Sequence, residues 1–326
     1  MLAAMWNLLS SIFESRHSHD DPLADQVLTA SIEKAIDKTD PRLRALGTCH
    51  KRLQDPVKHA LGHVFRLVDQ LSGPIDVSPD RYGQDPLLRA LFLSSQHMRE
   101  ILGRFRSVRD YLGQHTGIPP ENIYGLLSVV KREKRVLGME LVGDTVRRDV
   151  LQVAVSFEDH QYLAPSESPE AARTKLIAWA YDSLLENALE TIAAQKIRRG
   201  KLIQKRQLLR GKLLSSVSDP SLSGEYAALE ADIAMIEEEL GHINGIELSL
   251  GESLEIVRTV LNEAEQWLSI TPYQVDLDYR NIKQSTSSNS IELSEISSLN
   301  GLRRMVVFSQ IPYQQLPEPR DLLIIR

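Results

Sequence analysis

TIAAQKIRRGKLIQKRQLLRGKLLSSVS (191–218) is followed directly by DPSLSGEYAALEADIAMIEEELGHINGIELSLGESLEIV (219–257). The first stretch carries eight Lys/Arg and no Asp or Glu, and the second carries ten Asp/Glu and no Lys or Arg. Two amphipathic blocks of opposite charge joined by the turn-forming tract SSVSDPSLSG (215–224) read as a long antiparallel coiled-coil hairpin. In the acidic arm, Leu229, Ile233, Ile236, Leu240, Ile243, Glu247, Leu250, Leu254, Val257, Leu261, Ala264 and Leu268 advance by alternating steps of four and three, with Glu247 the polar exception. The basic arm keeps a weaker seam of Leu185, Ala188, Ile192, Gln195, Arg199, Leu202, Arg206, Leu209 and Leu213.

Folding the two arms about Asp219 sets Arg199 across from Glu239, Arg206 across from Asp232, and Lys201 across from Glu237. Exposed ion pairs contribute only about 0.2–1 kcal/mol each, so their main effect is to fix register while the apolar seam supplies stability. Arg199, Arg206, Asp232, Glu239 and Glu247 are the candidate interaction residues. A nucleic-acid role for the basic arm is set aside, because the neutralising acidic block is next in sequence and the chain carries a net charge of −6.

Outward from the hairpin, the chain reads as mainly α. Ser168-Pro169 caps the start of the basic arm, and Thr271-Pro272 ends the acidic one. Upstream, the pairs Asp21-Pro22, Asp40-Pro41, Asp55-Pro56 and Asp85-Pro86 each read as a helix start, with Asp as the cap and Pro in the first turn. The helix after Pro86 is expected to run on through Leu112. DPRLRAL (40–46) and DPLLRAL (85–91) are near copies, too few to define a repeat array.

Ile123, Leu126, Leu127 and Val130 have helical spacing and predict a short helix. Leu151, Val153, Val155 and Phe157 alternate with smaller or polar residues, which predicts a strand paired through a Gly143-Asp144 turn with Val136–Val142. Tyr273–Tyr279, Ile291–Leu293 and Arg303–Gln310 are further strands around the loop QSTSSNS (284–290). The expected organisation is an N-terminal amphipathic helix (1–19), a helical domain (20–117), a mixed segment with a β-hairpin (118–165), the coiled-coil hairpin (166–269) and a small β-rich module (270–326).

Composition excludes more than it assigns. A single cysteine, Cys49, rules out an internal disulfide and a cysteine-rich zinc site, and fits a reducing, cytoplasmic setting. No apolar run approaches the roughly 20 residues that span a bilayer. Met1–Phe13 has no basic residue before its apolar stretch and is not expected to be a signal peptide. Its face of Leu2, Met5, Trp6, Leu9 and Phe13 allows a membrane-surface helix, but the polar face (Asn7, Ser10, Ser11 and Glu14) lacks the usual Lys and Arg, which favours docking on the protein itself.

Phosphate loops, dinucleotide fingerprints, nucleophile elbows and zinc-protease motifs are absent, and no cofactor is implied. His59 and His63, with Cys49, His50 or Asp55 nearby, have the spacing of a metal site but lack a glutamate motif. KREKR (131–135) with Arg147 and Arg148 reads as a solvated charge run, with a phosphate or acidic-partner site as the alternative, and Glu158-Asp159-His160 offers an acid and a base without a nucleophile. The expected function is non-enzymatic: a scaffold whose hairpin docks a protein partner or a second copy. The alternatives are membrane attachment through residues 1–13, and a ligand or active site near residues 59–63 and 147–148.

Overall fold

The structure is a computed structural model that describes residues 22–115, 117–142, 145–216, 223–242, 250–284, 290–299, 301 and 303–316. The expected helix at 1–13, the turn at 143–144, the core of the 215–224 tract, most of the 284–290 loop and Glu247 lie outside the described residues. In chain order the elements are α1 (Pro22–Thr39), a 3-10 turn (Pro41–Ala45), α2 (Cys49–Asp69), β1 (Ile75–Asp76), α3 (Pro86–Leu91), α4 (Ser95–Arg104), α5 (Arg106–Gln114), β2 (Asn122–Val142), β3 (Thr145–Ser166), α6 (Pro169–Ser216), α7 (Ser223–His242), α8 (Leu250–Asn262), α9 (Ala264–Trp267), β4 (Leu268–Asp276), β5 (Ser290–Ser298) and β6 (Arg303–Pro312). Two compact units are assembled from separated segments. A sheet unit draws on Leu61–Tyr181 and Glu265–Arg326, and a helical unit on Pro22–Ala60 and Asp182–Ala264.

In the helical unit, Ile32, Ile36, Leu53, Val57, Leu184, Leu185, Ile192, Leu254 and Leu261 are buried. Asp182 of α6 takes Lys34 of α1 at 2.8 Å and Lys38 at 3.2 Å, and Arg52 of α2 pairs with Glu255 of α8. Asp40 caps the 3-10 turn: its carboxylate accepts the Arg42 backbone N–H at 3.2 Å and the Arg42 guanidinium at 2.8 Å. Asp85 caps α3 in the same way, accepting from the Leu87 N–H at 2.8 Å. The two near-copy segments therefore share one local device.

Asp55-Pro56 does not start a helix, because α2 begins at Cys49 and Pro56 lies inside it. The helix expected from Pro86 to Leu112 is three short ones. It breaks at Phe92–Ser94, where Ser94 accepts the His97 N–H at 3.0 Å, and again at Phe105.

The sheet unit is built on strand order β3-β2-β6-β5-β4, antiparallel throughout, with β1 added parallel to β6. One face packs Leu127, Val129, Tyr162, Leu293 and Met305 against Leu88, Phe92, Met98, Leu102, Phe105 and Val108 from α3–α5. On the other face Leu126, Ser128, Ile296, Val306 and Phe308 are buried. There the Arg173 guanidinium of α6 lies 4.9 Å over the Phe308 ring and bonds the carbonyls of Val68 and Leu71 at the end of α2.

β3 carries one extra residue at three places relative to β2, between Tyr124/Leu126, Ser128/Val130 and Gly138/Glu140. Each bulge places one β3 residue in the left-handed region: Ala164 (φ 56°), Asp159 (φ 50°) and Asp149 (φ 60°). At the first, Gly125 is needed for close approach, since a Cβ there would stand 2.7 Å from the Leu163 carbonyl and 2.5 Å from the Tyr162 ring. The Tyr162 hydroxyl donates to the carbonyls of Ile123 (2.9 Å) and Ser309 (3.0 Å), crossing from β3 towards β6.

The second bulge is clamped by Arg304. Its Nε donates to Ser128 Oγ (2.6 Å), Nη1 to Asp159 Oδ2 (2.7 Å), and Nη2 to the Asp159 carbonyl.

The expectation of a mainly α chain is overturned by this sheet. With strands of 21 and 22 residues at one side, it makes the fold mixed rather than helical with a small β module. Two readings caused the error. Ile123–Val130 is strand, not helix: Ile123, Leu126, Leu127, Ser128 and Val129 are all buried, so both faces are covered and the run lacks two-residue alternation. The acidic arm is not one helix either. It is interrupted at Glu263, between α8 and α9, and β4 begins at Leu268, with Thr271-Pro272 inside it. Proline is tolerated there because β4 is an edge strand.

The Arg304 clamp gives a signed test. Its hydrogen bond holds the Asp159 carboxyl below the ordinary carboxylate range, so the stabilisation is present above a pH of about 4 and is lost as pH falls through the depressed folded value. Arg304→Ala should cost about 2–3 kcal/mol of stability in urea unfolding at neutral pH. The variant should also lose less stability than the parent between neutral pH and pH about 3. Equal acid sensitivity in both proteins would contradict the clamp.

Candidate interaction surface

α7 runs back along α6 in the opposite sense. Arg198 donates from Nε to Glu239 at 3.1 Å, and Arg210, further along α6, pairs with Glu237, earlier on α7. Ile233, Ile236 and Leu240 of α7 are buried, as are Ile192 and Arg199 of α6. Leu202, Arg206, Leu209 and Leu213 are half-buried. Helical periodicity explains the division, since these residues recur on one side while the intervening Lys and Glu face water.

Four of the five residues singled out from the sequence are described, Arg199 and Arg206 on α6 and Asp232 and Glu239 on α7. Glu239 is held by Arg198, one residue before the expected Arg199, and Arg199 lies inward with 4% of its surface exposed. Glu237 is held by Arg210 rather than Lys201. Arg206 is half-buried on α6, Asp232 is exposed on α7, and Glu247 lies outside the described residues.

The solvent side of α6 has its own relief. Ala194, Ile197, Arg198, Lys201, Leu202 and Lys205 line an open groove of about 450 Å³. Ile197 is 61% exposed, and Leu208 and Leu214 further along are more so. On α7, Met235 is exposed between Asp232 and Glu238. One helix thus shows apolar side chains among cations, and the other shows one among anions.

The remaining chemical candidates are engaged structurally. His59 Nδ1 meets the Leu261 carbonyl at 3.2 Å, and His63 Nε2 meets the Leu268 carbonyl at 2.7 Å. His50 contacts Glu33 at 2.8 Å, Asp55 is exposed, and burial pushes the Cys49 thiol up, with Glu33 adding to the shift. Among the described residues no group of three or more His, Cys, Asp or Glu is arranged to hold a metal ion. Asp159 and His160 diverge at the bulge: Asp159 faces Arg304, while His160 bonds the Leu91 carbonyl at 2.8 Å and stacks on Phe92. Arg147 and Arg148 are exposed on β3, remote in the strand from any of these groups.

In the sheet unit, a cavity of about 550 Å³ opens where β5 leaves β6 and β1 joins it. Leu71, Ser72, Tyr273, Ser294, Val307 and Phe308 are among its walls. Among its described lining residues Glu292 is the one that carries a charge. Sequence reasoning missed Arg304, Tyr162 and the Lys131–Tyr273 hydrogen bond (3.0 Å), because each depends on strands far apart in the chain.

Among the described residues no helix is long and apolar enough to cross a membrane. Comparison with known protein families, curated proteins and solved structures gives no match.

The register of α6 against α7 is open to a double-mutant cycle. Arg198→Glu and Glu239→Arg should each lower the melting temperature, and the pair together should restore it with a coupling of about 0.2–1 kcal/mol. Arg199→Glu with Glu239→Arg should show no such recovery. Coupling through position 199 in place of 198 would refute the observed pairing.

Proposed function

We propose that this chain is an interaction and scaffold protein of the cytoplasm, rather than an enzyme, and that it self-associates through the exposed sides of α6 and α7. The observation that carries this reading is the match between the α6 groove and the outer side of α7. Ile197 and Leu208 stand among Lys201 and Lys205 on one helix, and Met235 stands between Asp232 and Glu238 on the other.

In a two-fold pair of molecules, α7 of one copy covers α6 of the other, and the same contact is made twice. Each large apolar side chain removed from water contributes about 1.5–3 kcal/mol, and the flanking charges set orientation more than affinity. A two-helix pair that exposes apolar side chains on its outer side lowers its free energy by adding helices, as in bundle packing. The cytoplasmic setting is supported by the lone, buried Cys49.

Light scattering of the full chain after size exclusion should give twice the monomer mass. Ile197→Glu with Leu208→Glu should give the monomer mass with an unchanged far-ultraviolet circular dichroism spectrum, since both side chains face solvent within one chain. A parent protein that stays monomeric at the highest soluble concentration would sink self-association.

A further inference from the structure

The β2–β3 hairpin outgrows its sheet. β6 pairs with β2 only as far as Val129↔Met305, whereas β2 and β3 stay paired to Val142↔Thr145. From residue 130 outward the hairpin is an arm of two strands, and an arm of this kind presents unpaired backbone groups along its edges.

The outer edge of β3 is already used once, close to the body of the sheet. Ala154 bridges Ile282, the Val155 N–H donates to the Asn281 carbonyl (2.8 Å), and the Lys283 N–H donates to the Val153 carbonyl (2.9 Å). The chain then turns away, since the Gln284 N–H donates to the Asp276 carbonyl (2.9 Å). By strand alternation the next β3 residue to direct its N–H and C=O outward is Leu151. Among the described residues no strand pairs with β3 there.

At that position a groove of about 640 Å³ opens between β3 and the 278–284 segment. Met139, Leu151, Val153 and Ile282 give it apolar walls, and Arg280 and Lys283 stand at its rim. Leu137 lies directly across from Leu151 in the register, and the two are 70% and 63% exposed. They continue the face on which Val155 and Phe157 are buried in the core, so the core's apolar stripe runs out into solvent.

Tyr279, 84% exposed, carries the Arg280 guanidinium 5.2 Å over its ring. Among the described side chains the local charge is net positive. Arg135, Arg147, Arg148, Arg280 and Lys283 are exposed, against Glu133, Asp149 and Asp278. Asp278 Oδ1 takes the Arg280 and Ile282 N–H groups of its own turn, and its Oδ2 lies 3.7 Å from the Arg280 Nε, so Lys283, Arg147 and Arg148 are the cations it leaves facing water.

We propose that this groove takes an extended acidic segment of a partner protein, which adds as a strand on β3 beyond Val153. Backbone pairing with the open edge supplies affinity, and alternate apolar side chains of the segment enter between Leu151 and Ile282. Its acidic residues, on the other side of the added strand, meet the Arg and Lys rim. A second copy of the arm is a poor occupant, because it would bring Arg135, Arg147 and Arg148 against themselves. The site is separate from the α6–α7 surface and stands or falls independently of it.

The test uses the full chain and a short fluorescent peptide alternating glutamate with valine, read by anisotropy. Three further probes accompany it: the same peptide N-methylated at alternate residues, its lysine–valine counterpart, and phosphatidylserine vesicles. The glutamate–valine peptide should bind, and N-methylation on the pairing edge should abolish binding while leaving every charge in place. Leu151→Asp and Lys283→Glu should each weaken binding about tenfold or more, with the parent's melting temperature retained because both side chains face water.

Equal binding of the methylated peptide would overturn strand addition. Preference for the lysine peptide, or no binding of any peptide, would overturn the proposal outright. Binding of vesicles without peptide would replace it with a lipid-surface role.

Discussion

Backbone pairing between β2 and β3 runs from Tyr124↔Ser166 to Val142↔Thr145, and the rest of the sheet unit is arranged around it. At its base the pair is buried on both faces, Leu127, Val129 and Tyr162 against α3–α5 on one side and Leu126 and Ser128 on the other. β6 docks along β2 only where those covers exist. Without the long pair, β6 would lose its β2 neighbour, the sheet would shrink to β1, β6, β5 and β4, and Tyr162 could not reach the carbonyls of Ile123 and Ser309. Two-stranded ladders are marginal in water, so the covered base must stabilise the arm it projects.

Several parts of this architecture are legible in the sequence, and the reasons differ. Asp40-Pro41 and Asp85-Pro86 are legible because a cap is a local interaction: the carboxylate reaches an N–H two residues on. The alternation from Leu151 to Phe157 is legible because a side-chain period survives when one face stays wet, whereas Arg303–Gln310, buried on both faces, is legible as the short apolar run Met305–Phe308. Ile123–Val130 is misread because both its faces are buried, which erases that period and leaves spacings that mimic a helix. The bulges add to the loss, since each shifts the alternation of β3 by one residue. Asp55-Pro56 misleads for another reason, being an apparent cap inside a helix that tertiary packing extends upstream to Cys49.

The interaction surfaces are less legible still. The charge split between 191–218 and 219–257 is visible at once, but which cation meets which anion is not. Arg198 and Arg210 converge on Glu239 and Glu237, two residues apart on α7. Arg304 gives no sequence signal at all, because its partners Ser128 and Asp159 come from two other strands. The groove beside β3 is equally silent. It needs the 278–284 segment to fold back on Val153, and only then do Leu151, Ile282 and Lys283 become neighbours.

The three left-handed residues of β3 also bear on how this chain can tolerate changes in length. A deletion within regular pairing turns every later side chain to the opposite face, so losing Phe157 would drive core residues outward along the base of the strand. Losing Asp149 would instead remove a residue that has no counterpart on β2, and would restore one-to-one pairing with only the outer arm displaced. Length variation in this strand is therefore confined to a few positions that absorb it, and the arm can be lengthened or shortened from its tip without the buried sheet registering the change.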